Sequence, residues 1–183
     1  MKSKENLYYA SCKIAGINFK VFSSHKGIRR ITLNNKEKIK SKKYNLTKLH
    51  PDDPYMFNVF IQLEEYFNGD RKKFIMPLDI EGTDFQKKVW SELLKIPYGK
   101  TITYKKIAQR LGKTKAFRAV GKANSTNPVC IVIPCHRVIG SNGNLGGYSA
   151  GLNVKEKLLE LEGSLSMELF ESLSLNPSPK EVV

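Results

Sequence analysis

In the first third of the chain, short apolar runs at Leu7-Tyr8-Tyr9, Ile14 to Phe22 and Ile28 to Leu33 are punctuated by turn-forming residues such as Ser23-Ser24-His25-Lys26-Gly27. That pattern predicts antiparallel strands. The stretch Lys36 to Lys48 is polar and basic and reads as a loop. From Pro54 onward Phe57, Phe60, Ile61 and Phe67, with Leu63 or Glu64 completing the face, recur at helical spacing until Asn68-Gly69-Asp70 stops them. A further strand is expected at Phe74 to Leu78, which completes a small α/β unit ending near residue 80.

Around Gly82 the period changes to that of helices. Thr83 and Gln86 have capping-box spacing, and Phe85, Val89, Leu93 and Leu94 give one apolar stripe that ends before Pro97. Thr103 caps a second helix, in which Tyr104, Ile107, Ala108 and Leu111 share a face and Gly112 supplies the stop. A third helix is expected from about Thr114, giving a helix-turn-helix outline. Its Phe117, Val120 and Ala123 should face one way, with Lys115, Arg118 and Lys122 on a basic stripe. A strand-like Val129 to Ile133, a glycine-rich loop at 142–151 and a last helix from about Asn153 to Gly163 follow. Beyond Ser164 one amphipathic turn (Met167, Leu169, Phe170, Leu173) leads into Asn176-Pro177-Ser178-Pro179, which reads as a flexible tail. The expected fold class is α+β: an α/β domain over 1–80, a mostly helical domain over 81–165 and a tail over 166–183.

Charge sharpens this outline. The 183 residues carry 31 Lys and Arg against 17 Asp and Glu, a formal +14. Residues 1–80 hold 16 basic and 8 acidic side chains, whereas residues 85–140 hold 12 basic ones and a single acid, Glu92. A polyanionic partner explains such an excess, and so does plain solubility. The coincidence of one-sided charge with a helix-turn-helix favours nucleic acid. The longest strongly apolar run, Val129 to Ile133, is far too short to span a bilayer, and the polar start Met1 to Asn6 is not a secretory signal. A cytoplasmic location without membrane contact is expected. Cys12, Cys130 and Cys135 are an odd set without a C-x-x-C pair, which suits free thiols rather than disulfides or zinc.

The candidate chemistry centres on Pro134-Cys135-His136-Arg137-Val138. A thiol beside basic groups is favoured as thiolate, the nucleophilic form. Side chains at i and i+1 diverge in regular structure, so His136 serves Cys135 only at a sharp turn or through a bridging water. Glu162 opposes the helix macrodipole just before Gly163. Two readings stand for it: an exposed glutamate tolerated at small cost, or a carboxylate held by a tertiary partner such as His136, as the third group is held in hydrolase triads. The glycine-rich loop suits one wall of a pocket. Within it, Tyr148 either stacks on a planar base or packs the turn.

Taken together, these residues, with Arg118-Ala119-Val120-Gly121, Asn127-Pro128, Gly147-Tyr148-Ser149 and Leu161-Glu162-Gly163, form an ordered set. The set resembles the O6-alkylguanine-DNA alkyltransferases, from about Thr83 to Gly163. In residues 1–80 the likeness is only architectural, to a ribonuclease H-like domain. The resemblance implies that Cys135 takes the alkyl group from O6 of guanine, and less readily from O4 of thymine, once and irreversibly. It implies that His136 acts through a water as base, that Glu162 orients it and that Asn127 ties the turn carrying the thiol. Tyr104 would donate to the departing guanine. Val138, Tyr148 and Ser149 would line the base pocket, and Arg118 would enter the duplex while Lys115, Lys122 and Tyr104 contact the DNA. Duplex DNA carrying O6-alkylguanine is the implied partner, the protein is expected to be a monomer, and neither cofactor nor metal is expected. Ala150 and Cys130 stand where some relatives have glycine and proline. A non-reactive sensor of alkylated DNA and a Cys-His hydrolase are the alternatives.

Overall fold

The computed structural model describes residues 4–34, 39 and 43–165, in two units. The first comprises the chain up to Glu81 together with Pro128–Val132. Its strands β1 (Glu5–Ile14), β2 (Ile17–Ser24), β3 (Gly27–Leu33) and β4 (Tyr44–Lys48) form one sheet in the order β3-β2-β1-β4. The apolar run Ile14 to Phe22 is not one strand. Ala15 and Gly16, at φ 48° and 78°, turn the chain between β1 and β2, the paired positive φ values of a tight hairpin whose twist matches the sheet. At the next turn Gly27 is obligatory, because a Cβ there would lie 2.5 Å from the carbonyl oxygen of Pro77.

Helix α1 (Pro54–Phe67) starts with proline in its first turn and Asp53 accepting from Tyr55 N at 3.0 Å. It buries Met56, Val59, Phe60, Leu63 and Tyr66, while Leu7, Ala10, Phe19 and Val21 are buried from the sheet. Arg29, also buried, is paired with Glu5 and Asp79 at 2.5 Å each.

Three expectations fail in this unit. The segment read as a loop contains β4, which pairs in parallel with β1 from Glu5↔Tyr44 to Tyr9↔Lys48. Phe74 to Leu78 is not a strand: the Gln62 side chain takes both backbone groups of Ile75, at 2.7 and 2.8 Å, leaving one bridge between Leu78 and Ile28. Val129 to Ile133 likewise forms isolated bridges rather than a strand, Val129↔Ile31 among them, because Ile131 at φ 73° breaks the extended run.

The second unit, 82–127 and 133–183, is mostly helical. Helix α2 (Asp84–Leu94) begins with the expected capping box, Gln86 N donating to Thr83 Oγ1 at 3.3 Å and Thr83 N to Gln86 Oε1 at 2.8 Å. Trp90 is buried and donates to the Ala123 carbonyl at 2.9 Å. The short strands β5 (Ile102–Thr103) and β6 (Val138–Ile139) pair in parallel, and Thr103 then caps α3 (Tyr104–Arg110). Helix α4 begins at Phe117 rather than Thr114 and runs to Ser125, without a side-chain cap. Helix α5 (Leu152–Leu161) precedes Glu162 and Gly163. Among the described residues no helix is long and apolar enough to cross a membrane. The expected amphipathic turn after Ser164 and the tail fall outside the described residues, apart from 164–165.

Candidate active site

Cys135 opens a single 3₁₀ turn, Cys135–Arg137. Pro134 cannot donate a backbone hydrogen bond and bends the chain, so Cys135 N turns back to Ile133 O at 2.8 Å and Arg137 N to Pro134 O at 3.1 Å. This is the sharp turn that the adjacent thiol and imidazole require. Two amides contributed by the end of α4 and the residues after it hold the turn: Asn127 Nδ2 donates to Ile133 O at 2.7 Å, and Asn124 Nδ2 to Cys135 O at 3.3 Å. Both asparagines are buried. Family likeness alone points to Asn127, and it does not point to Asn124. Its one sequence signal is a polar residue on the same face as Val120, where apolar periodicity asks for a hydrophobe.

Glu162 resolves in favour of the tertiary partner. Its side chain is wholly buried, with Oε1 at 2.8 Å from His136 Nε2. Arg137 grips both carboxylate oxygens, Nε to Oε2 at 2.8 Å and Nη2 to Oε1 at 2.9 Å, and gives Nη1 to the Ile96 carbonyl at 2.6 Å. Gly99 N adds a bond to Oε2 at 3.3 Å. The local cost of a carboxylate at a helix C-terminus is therefore offset by a bidentate guanidinium, the strong form of a charged hydrogen bond. In the sequence Arg137 is visible only as a cation near the thiol. Its partner lies 25 positions away in sequence, a separation invisible to local pattern.

An ionised carboxylate only accepts, so the proton shared with His136 sits on Nε2 and the lone pair on Nδ1. Nδ1 is buried and has no hydrogen-bond partner among the described residues. Burial pushes the imidazole below its usual 6.5, against the pull of Glu162. The ring is therefore neutral near pH 7, as a proton acceptor must be.

A third group was missed altogether. Lys155, on α5, is fully buried, donates to the Val138 carbonyl at 2.6 Å and also bonds the Leu145 carbonyl. It joins β6 to the glycine-rich loop. Burial lowers its pKa to about 8, opposed by the negative charge Cys135 can carry. Tyr104 is half-buried at the start of α3, and its hydroxyl lies where a Cβ on Gly146, at φ 66°, would come within 3.1 Å. A side chain at this positive φ would be strained and would press on the ring. Burial first, and the nearby Cys135 second, push the Tyr104 hydroxyl above its ordinary range.

Val138 is buried, Tyr148 half-buried and Ser149 exposed. Lys115, Arg118 and Lys122 are all exposed, Lys115 in the turn before α4 rather than on the helix. Phe117 departs from expectation: it is 44% exposed, while Val120, Ala123 and Asn124 are the buried side chains of α4. The three cysteines are free thiols, Cys130 and Cys135 buried and Cys12 only partly so.

Residues 7–80 match the family described as 6-O-methylguanine DNA methyltransferase, ribonuclease-like domain, and residues 84–164 match the DNA binding domain of the same name. The methylated-DNA–protein-cysteine methyltransferase of Methanosarcina acetivorans is 59% identical over 103 residues, 56% of this chain and 66% of that protein. That of Methanosarcina barkeri is 60% identical, and the alignment spans 64% of its length, so the chain matches just under two thirds of these relatives. The inducible methylated-DNA–protein-cysteine methyltransferase of Bacillus subtilis is 39% identical over 172 residues, which cover 91% of this chain and 96% of that protein. Among solved structures, Mycobacterium tuberculosis OGT in complex with DNA superposes at a TM-score of 0.77 and 38% identity, covering 86% of this chain and 93% of the other.

Proposed function

The chain belongs to the 6-O-methylguanine DNA methyltransferase family, and from that premise we propose that it repairs alkylated duplex DNA by moving the alkyl group from O6 of guanine to Cys135. The observation that carries this reading is the buried Arg137–Glu162–His136 network, which leaves a neutral imidazole with an open Nδ1 lone pair on the residue that follows Cys135 in the same 3₁₀ turn. In the proposed step the Cys135 proton passes through a water to Nδ1. The sulfur forms a bond to the alkyl carbon as the bond from that carbon to O6 breaks. The electron pair left on guanine is met by the Tyr104 hydroxyl, which donates to the ring. Transfer to a positioned base of this kind contributes about 10² to 10⁴ in rate.

The target oxygen is inaccessible within stacked DNA, so the nucleotide must leave the helix at a cost of a few kcal/mol. Phosphate contacts from Lys115 and Lys122, with Arg118 entering the gap, offset that cost. Val138, Tyr148 and Ser149 line the receiving pocket, and Asn127 fixes the turn of the thiol. The product is a thioether, which the groups around Cys135 have no means to cleave, so each molecule reacts once. O4-alkylthymine is a slower second substrate.

Incubation with duplex DNA carrying radiolabelled O6-methylguanine tests the reading. One label bound per protein, abolished in Cys135→Ala, is the expected result. No bound label would indicate a non-reactive sensor, and released labelled product a hydrolase.

A further inference from the structure

Phe117 opens α4 as a large apolar ring in water, 44% exposed. At 100° per residue, Phe117, Gly121, Ser125, Arg118 and Lys122 fall within one arc of about 140°, and the buried Val120, Ala123 and Asn124 lie outside it, beyond its Phe117 edge. The Arg118 guanidinium lies 5.8 Å from the centroid of the Phe117 ring, so a planar aromatic and a planar cation stand side by side on this arc. Gly121 and Ser125 between them carry no bulk that would hold a neighbour off the helix. Nothing in helix formation asks for phenylalanine here, since α4 lacks a side-chain cap and the first turn of a helix favours Pro, Asp or Glu.

Building on the duplex-DNA reading above, we propose that Phe117 is an apolar wedge that leaves water to pack against a base step in the groove α4 occupies, adding a stacking contact to the phosphate contacts of this helix. The arc carries Arg118 and Lys122 and no acid, so the occupant is a polyanion. An apolar protein surface would have to desolvate both cations without repayment. Nucleic acid meets both demands at once: its phosphates take Lys122, its negative field favours Arg118 at the gap, and its bases present flat faces on which any aromatic ring stacks. Minor-groove proteins insert phenylalanine between base steps in this way.

The test uses the full chain, Phe117→Ala and Phe117→Leu, with a duplex oligonucleotide carrying O6-methylguanine beside 2-aminopurine. Phe117→Ala should bind about tenfold more weakly, and Phe117→Leu should recover part of the loss. The fluorescence change of 2-aminopurine on binding should shrink with Phe117→Ala. The slope of log affinity against log salt should stay that of the parent, because no cation is lost. Melting temperature should move by no more than about 2 °C, and the loss should be confined to duplex DNA rather than shared with the free O6-benzylguanine base. Affinity within twofold of the parent and unaltered fluorescence would remove the wedge and leave the phosphate contacts standing. A large drop in melting temperature with equal losses on duplex and free base would also overturn it, by making Phe117 a packing residue. Failure of the parent protein to bind the duplex would instead defeat the functional reading on which the wedge rests.

Discussion

At the scale of single residues, two buried bases make the folded state sensitive to pH in calculable directions. His136 gives up its proton below its ordinary 6.5 because it is buried. Below pH 6.5 the unfolded chain therefore binds a proton that the folded chain refuses, and stability falls as pH drops, by at most about 1.4 kcal/mol per pH unit. Urea denaturation at pH 7.5 and 5.5 should show this loss in the parent protein and a smaller one in His136→Gln. Lys155 works at the alkaline end. Its folded pKa of about 8 against 10.5 means that between these values the unfolded chain holds a proton the folded chain has released, so its contribution to stability rises with pH. The melting temperature of the parent relative to Lys155→Met should shift in the parent's favour from pH 8 to pH 10; a constant difference would mean that Lys155 keeps its proton in the folded state and would contradict the lowered pKa. Cys135 and His136 were legible as chemistry because reactive residue types adjoin in sequence. Lys155 was not: a lysine in an α5 otherwise rich in charge reads as solvated, and only its two carbonyl partners reveal otherwise.

At the scale of elements, what is local in sequence was legible. The Thr83–Gln86 box and the Thr103 cap are short-range devices, and both appear where spacing puts them. Replacing Thr83 by Ala should cost about 1 kcal/mol, read as a lowered denaturation midpoint with an unchanged denaturant slope. Strand β4 was hidden because it is only five residues long at the end of a basic, polar stretch, four of its residues are exposed, and its parallel partner lies some forty positions earlier. The start of α4 was misjudged for the opposite reason: no side chain caps it, so nothing marks the boundary. Phe74 to Leu78 has strand composition, yet Gln62 intercepts its hydrogen bonds, and composition carries no notice of such competition.

At the scale of the whole molecule, the net charge of +14 gathers around the helix-turn-helix, where residues 85–140 hold 12 basic side chains and one acid. Binding to duplex DNA should accordingly weaken as salt rises. The two phosphate contacts of Lys115 and Lys122 alone correspond to about a 12-fold loss between 50 and 200 mM. Lys115→Ala and Lys122→Ala should each reduce the slope of log affinity against log salt by about one; slopes equal to the parent's would take both residues out of the interface. Charge imbalance was the most legible property of the chain because it needs no fold to be counted. The division of the backbone was less so, since a cut near residue 81 overlooks the later detour of Pro128–Val132 into the first unit.

That detour limits how the molecule can be dissected. Pro128 accepts from Ile31 N at 2.9 Å, and Val129, Cys130, Ile131 and Val132 are all buried. A recombinant piece starting near residue 82 would lack Ile31 and display four consecutive greasy side chains three residues ahead of Cys135. Such a piece is expected to precipitate or to need detergent during purification, whereas co-expression with residues 1–81 should restore a soluble product.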